Sequence, residues 1–325
     1  GSPDLRLAVS EHQRRFWGLE YDPDTEILVT MGATEALAGA LLGMLNTGDE
    51  VIVFEPLFDT YAACIALAGP VLVPVTLRPN AAGRYEFDPE QLRAAVSSRT
   101  RMILLNSPHN PTGTVLTRDE LQAIADIAIE HDLVVLSDEA YEHLWYDGHP
   151  HIPISTLTGM FERTLTVGSA GKSFSFTGWK VGWASGPADL IAATRVVRQH
   201  LSYVSGGPFQ WAITEALALP DEYWESFRLD LQGKRDMLTA GLTDLGFQVV
   251  PSQGTYFLTT DVASMGYSDG MAFCRDLPHR AGVVAIPHSA LCSDPAVGAP
   301  YVRWAYCKQP EVLQAALNRL AALRG

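Results

Sequence analysis

The chain has 325 residues, 47% of them hydrophobic, enough to bury a large core and to form two subdomains rather than a small module. A formal charge of −14 and a pI near 5.0 argue against a nucleic-acid partner, which needs many cations set against phosphates. Four cysteines, Cys64, Cys274, Cys292 and Cys307, lie far apart without a CxxC pair or a Cys/His cluster at ligand spacing, so neither a disulfide framework nor a metal site is expected.

Short β-branched runs at 26–30, 51–54, 102–105, 133–136 and 165–167 read as buried, mostly parallel strands. Between them, 33–45 and 118–131 have helical spacing, and Thr117 ahead of Arg118-Asp119-Glu120 forms a capping-box start. This alternation predicts an α/β fold, a mostly parallel central sheet flanked by helices. After about residue 200 the rhythm changes to a long helix over 222–245, strand-like runs at 247–250 and 256–259, and a closing helix over 310–323. The expected division is a large α/β domain, 1–200, and a smaller C-terminal α+β domain, 201–325, with a ligand crevice between them. No apolar run reaches the length of a membrane span, and charges occupy the first twenty residues where a signal peptide has its apolar centre. A reduced, cytoplasmic protein with no membrane partner is the expectation.

In an open α/β sheet, ligands collect outside the carboxyl ends of the strands. Four such ends are chemically loaded. After the first run, Met31-Gly32-Ala33-Thr34 opens a helix whose free N–H groups suit a phosphate, although a Gly-Ala turn before a helix is common. After 102–105, Asn110 stands between Pro108-His109 and Pro111, where its amide can meet a phenolic oxygen or a carboxylate; the same turn also reads as loop punctuation. After 133–136 comes Ser137-Asp138-Glu139-Ala140-Tyr141. A carboxylate at the end of a buried strand is costly without a cation, and a protonated pyridine nitrogen would serve Asp138; a helix N-cap is the plainer alternative.

The fourth end is Ser169-Ala170-Gly171-Lys172, followed by Lys180 within Gly178-Trp179-Lys180-Val181-Gly182-Trp183, in a chain with only four lysines. An amine at the mouth of a sheet can form an imine with an aldehyde, the attachment chemistry of pyridoxal phosphate. Ser169 and Lys180 are of the right types for two phosphate contacts, one a hydroxyl and one a point charge. Two surface lysines beside an apolar strand is the bland reading of the same stretch.

Taken in order, Gly32-Ala33-Thr34, the string Glu55-Pro56-Leu57-Phe58-Asp59-Thr60-Tyr61, Asn110-Pro111-Thr112-Gly113, Asp138-Glu139-Ala140-Tyr141, Ser169-Ala170-Gly171-Lys172, Lys180 and Tyr301-Val302-Arg303 resemble the fold-type I, class I/II pyridoxal-phosphate aminotransferases. The stretch 168–183 looks most like the branch that holds kynurenine and N-succinyldiaminopimelate aminotransferases. The resemblance implies a fold-type I enzyme in which Lys172 is both Schiff-base lysine and general acid/base. It implies that Asp138 meets the pyridine nitrogen, that Tyr141 and Asn110 bond the ring oxygen, and that Phe58 stacks on the ring. Gly32, Ala33, Thr34, Ser169 and Lys180 would hold the phosphate, and Arg303, helped by Asn110, would clamp the substrate α-carboxylate. It further implies an amino-acid donor such as N-succinyldiaminopimelate or a kynurenine-like compound, a keto-acid acceptor such as 2-oxoglutarate, ping-pong turnover, and a homodimer with shared sites. Many relatives carry arginine where this chain has Lys180, and Gly1 to Arg6 resembles the stretch that follows the family's N-terminal arm, so that arm is expected to be absent. A carbon–sulfur β-lyase on the same scaffold and a non-catalytic regulator are the rival readings.

Overall fold

Alternate residues of the central strands face opposite ways, and both sets are apolar. Val51 and Val53 pack with Met102, Leu104, Leu136 and Leu165 on one face, while Ile52 and Phe54 pack with Ile103, Leu105 and Val135 on the other. A sheet covered on both faces therefore reads as continuous apolar runs rather than as alternation.

The computed structural model describes residues 1–204 and 206–324. In chain order the first strands are β1 (Ile27–Thr30), β2 (Glu50–Glu55), β3 (Val71–Thr76) and the short antiparallel pair β4 (Arg78–Pro79) and β5 (Tyr85–Glu86). β6 (Thr100–Asn106), β7 (Val134–Asp138), β8 (Thr164–Ser169) and β9 (Gly182–Ser185) follow. Seven of these form the larger sheet in the order β1-β9-β8-β7-β6-β2-β3. Pairings from β3 through β8 are parallel, and β9 runs antiparallel to both of its neighbours.

Helices α1 (Pro3–Trp17), α2 (Gly32–Met44) and α3 (Asp59–Ala68) flank this sheet, with α2 and α3 supplying Ala36, Leu37, Leu41 and Ile65 to one core. The Arg118–Glu130 helix covers the opposite face and starts in the capping box expected at Thr117, whose hydroxyl accepts from the Glu120 N–H at 3.2 Å.

A second sheet follows, with β10 (Gln248–Val250), β11 (Phe257–Asp261), β12 (Ile286–Pro287) and β13 (Tyr301–Ala305) in the antiparallel order β10-β11-β13-β12. The Asp221–Asp244 and Pro310–Leu320 helices pack on it through Leu231, Leu238, Leu242, Leu313 and Leu317. The same core takes in Ala140, Tyr141, Leu144 and Tyr146, so the segment after β7 is packed into both sheets' surroundings. No helix among the described residues is long and apolar enough to cross a membrane.

Candidate active site

β6, β7 and β8 end side by side, since Asn106 is paired with Asp138 and Asp138 with Val167. On the far side of β8, Gly182 of β9 lies between Ser169 and Thr30. A Cβ at Gly182 would stand 2.6 Å from the Gly32 carbonyl carbon and 2.7 Å from the Ala33 nitrogen. Only glycine lets the strand approach so closely, and that approach sets the start of α2 beside Ser169. Gly32 itself has φ +71°, a left-handed turn that redirects the chain from β1 into the helix.

Lys172 projects from the short Ala170–Ser173 helix, and its Nζ lies 5.9 Å from the ring centres of both Tyr141 and Tyr256. Lys180 adopts φ 55°, and its Nζ would be 3.8 Å from a Cβ placed on Gly32, so its charge sits at the start of α2. Backbone N–H groups of a helix start, a point cation and the Ser169 hydroxyl thus converge as donors for an anion.

Asp138 is buried at the end of β7, where burial raises its carboxyl pKa and the Tyr61 bond, the Ala140 bond and the Lys172 charge oppose that rise. The Tyr61 hydroxyl donates to Oδ2 at 2.7 Å and the Ala140 N–H to Oδ1 at 3.1 Å. These bonds fix its direction without neutralising it, which suits a cationic partner in the cavity. Tyr141 is buried beside it, and burial, followed by Tyr256 and Asp138, raises its phenol pKa well above the ordinary value.

Arg303 on β13 donates to the Asn110 Oδ1 at 2.8 Å, and its guanidinium carbon lies 4.2 Å from the centre of the Phe257 ring. Burial lowers its pKa, offset in part by Tyr141 and Tyr256. Asn110 is held from behind, because its N–H donates to Asn106 Oδ1 at 2.7 Å while Asn106 Nδ2 donates to the Asp138 carbonyl at 2.8 Å. Phe58 ends the turn into α3 with its ring edge-on to Tyr61, 5.5 Å between centres.

All of the sequence-predicted residues line one cavity: Gly32, Ala33, Thr34, Phe58, Asn110, Asp138, Tyr141, Ser169, Lys172, Lys180 and Arg303. Three cationic side chains face one carboxylate there, in a chain whose overall charge is −14. Tyr61, Asn106, Tyr256 and Phe257 also line it and had been given no role. Tyr61 could have been found from its place one helical turn beyond Phe58, whereas nothing local marks Tyr256.

The description "aminotransferase class I and II" matches residues 1–320. The chain belongs to this family. A probable N-succinyldiaminopimelate aminotransferase of Mycobacterium tuberculosis is 48% identical, over 99% of this aminotransferase and 83% of that protein. Kynurenine–oxoglutarate transaminase 3 of Mus musculus is 38% identical, over 97% of this chain and 75% of its own. The solved structure of N-succinyldiaminopimelate aminotransferase from M. tuberculosis superposes with a TM-score of 0.97 at 49% identity, covering 99% of this chain and 84% of that one. The aminotransferase therefore has the fold-type I architecture, depends on pyridoxal phosphate, and moves amino groups between amino acids and keto acids.

Behind the cavity, the chain from Asp138 onward turns polar groups the other way. Glu139 meets His151 at 2.9 Å, Glu142 accepts from the Trp17 indole at 2.6 Å, and His143 shares a 2.8 Å hydrogen bond with His12 of α1. Burial pushes the Glu142 carboxyl up to about 8 and the His12 imidazole down to about 3, so both rest mainly neutral near pH 7. His12, Glu142 and His143 bring one potential ligand atom each to within 4.8 Å of one another, a group the sequence did not lead us to expect.

Proposed function

We propose that Lys172 tethers the cofactor in this cavity and that the same lysine then carries the substrate Cα proton. The observation that supports it is the convergence of Lys172, Asp138 and the Arg303–Asn110 pair on one cavity, with the start of α2 at its edge. Pyridoxal phosphate supplies an aldehyde that amines can occupy in turn and a protonated ring that takes up electron density. Gly32, Ala33, Thr34, Ser169 and Lys180 hold its phosphate, and Phe58 packs on its ring. Asp138, aimed by Tyr61 and Ala140, accepts the hydrogen bond of the ring nitrogen and keeps that nitrogen charged. Tyr141 and Asn110 hold the ring oxygen, while Arg303 grips the α-carboxylate and so presents the Cα proton to the freed Lys172 amine. The lysine would return that proton to the cofactor side of the imine, and hydrolysis by water would release a keto acid and leave the amino group on the cofactor.

The donor is an amino acid of the N-succinyldiaminopimelate or kynurenine type and the acceptor 2-oxoglutarate, as the names of the two relatives suggest. Lys172→Ala is expected to lose the visible absorbance of the lysine-bound cofactor and all turnover. Retention of either would overturn the assignment. In the same proposal the chain divides into a cofactor-binding part, 1–200, and a smaller part, 201–325, and the enzyme works in the cytoplasm as a homodimer.

The dimer is supported by exposed aromatics beside Lys180. Trp179 stacks on Phe209 at 4.8 Å, and Tyr203 and Trp211 are more than half exposed. Sedimentation of this chain with its cofactor bound should give about twice its 35.4 kDa. A monomer that turns over at the full rate would refute the shared-site reading.

A further inference from the structure

The Ala188–Leu201 helix packs closely along α2. A Cβ at Gly43 would stand 2.5 Å from the Ala193 carbonyl oxygen, and one at Gly39 would stand 3.1 Å from the Thr194 methyl. One turn nearer the start of α2, the same line of contacts reaches Glu35 and Arg198, whose Nε lies 4.0 Å from Glu35 Oε2. Their side chains are 8% and 11% exposed, so the pair is largely shut away from water. Neither residue lines the cofactor cavity.

The first N–H groups of an α-helix have no partner within it, and in α2 the residues that carry them, Gly32, Ala33 and Thr34, line the cavity. The N–H before these, that of Met31, donates to Glu35 Oε2 at 2.7 Å, and the Thr30 hydroxyl donates to the Gly32 carbonyl at 2.9 Å. The turn is thereby held by bonds that do not draw on the N–H groups of Gly32, Ala33 and Thr34. The same arrangement sets a carboxylate one turn from the place where an anion is to bind, and like charges repel most strongly where water is excluded. Arg198 brings the opposite charge to that oxygen, and its Nη1 donates to the Tyr203 carbonyl, which fixes the guanidinium from the far side.

We propose that Glu35 and Arg198 are positioning residues for the cofactor phosphate. Glu35 ties down the turn that presents the N–H groups, and Arg198 cancels the charge that Glu35 brings with it. This role rests on the phosphate assignment made above and belongs to two residues outside the cavity. Loss of Arg198 should therefore harm phosphate binding only while Glu35 is charged.

Pyridoxal phosphate and pyridoxal, which lacks the phosphate, separate this role from a merely structural one. Each is titrated into this chain after removal of bound cofactor, with tryptophan fluorescence as the readout, and the ratio of the two affinities is compared between variants. The parent should favour pyridoxal phosphate strongly. Arg198→Met should lower that preference by about tenfold or more with the pyridoxal affinity unchanged. Adding Glu35→Gln to it should restore most of the preference, since an amide oxygen still accepts the Met31 N–H without the charge. Glu35→Ala should also lower the preference, whereas Glu35→Gln alone should keep or raise it. The proposal fails if Arg198→Met weakens both ligands alike or neither, or if Glu35→Gln does not restore what Arg198→Met lost. Should Arg198→Met melt early, Glu35→Ala against Glu35→Gln decides, and an equal preference in those two overturns the role of Glu35. A parent chain with no preference for pyridoxal phosphate would overturn the phosphate assignment itself, and this proposal with it.

Discussion

Tyr61 shows how much a single hydroxyl controls. Its bond to Asp138 favours the ionised carboxylate, so Tyr61→Phe should raise the Asp138 pKa further and weaken the hold on a charged ring nitrogen. Loss of a hydrogen bond to a buried charge is worth roughly 1.5–3 kcal/mol, and we expect Cα-proton abstraction to slow by about ten- to a hundredfold with cofactor affinity little changed. Single-turnover deuterium exchange checks this, and an unchanged rate would remove Tyr61 from the mechanism. Lys172 and Asp138 were legible as charged residues just beyond apolar strands, whereas Arg303, in the middle of β13, was picked out only through the resemblance to the aminotransferases. Tyr61 and Tyr256 were not, because a tyrosine is equally at home as plain core, and its role depends on which distant group its hydroxyl meets. Asn106 was hidden differently: it acts by holding two backbone groups of a neighbouring strand and turn, and pairing of that kind leaves no local pattern.

At the scale of elements, the parallel strands could be read from their β-branched runs, while β3 and β9 escaped. β3 carries Pro74 and is partly exposed at the sheet edge, which is where proline is tolerated and where apolar patterning weakens. β9, Gly-Trp-Ala-Ser, has a single strand-favouring residue, Trp183, and is held by its two neighbours. The residue that makes it a poor strand also makes the site, since Gly182 lets α2 begin against it. Gly182→Ala would force a methyl into backbone atoms of Gly32 and Ala33, which cannot yield as a side chain can. We expect at least about tenfold weaker cofactor retention on dialysis, together with a loss of about 1–3 kcal/mol in stability. A variant that keeps its cofactor like the parent would show that the α2 start tolerates displacement.

For the whole molecule, the segment 138–146 ties the two sheets together, with Tyr141 facing the cavity while Leu144 and Tyr146 enter the core beneath the Asp221–Asp244 helix. Asp147 then pairs with Arg235 of that helix at 2.5 Å. Stability should carry the mark of the groups buried behind this segment. Glu142 has a folded pKa of about 8 against an ordinary 4.5, so its stabilising contribution is complete below 4.5 and is lost as pH rises through 8. His12, depressed to about 3, acts in the opposite sense below 6.5. Glu142→Gln removes only the first effect. Its melting temperature should rise relative to the parent between pH 6 and 9, by an amount corresponding to at most a few kcal/mol, and converge with it near pH 4. A constant offset across that range would mean that the carboxyl does not titrate on unfolding.

The scarcity of lysine has a practical consequence for peptide mapping. Of the four lysines, Lys234 pairs with Asp230 on a helix surface and Lys308 is exposed beyond β13, which leaves Lys172 and Lys180 in the cavity. Reduction with borohydride would fix a cofactor to Lys172 and block tryptic cleavage there. The peptides 164–172 and 173–180 would then be replaced by a single fragment, 164–180, heavier by one reduced cofactor, so one digest assigns the attachment residue without any variant.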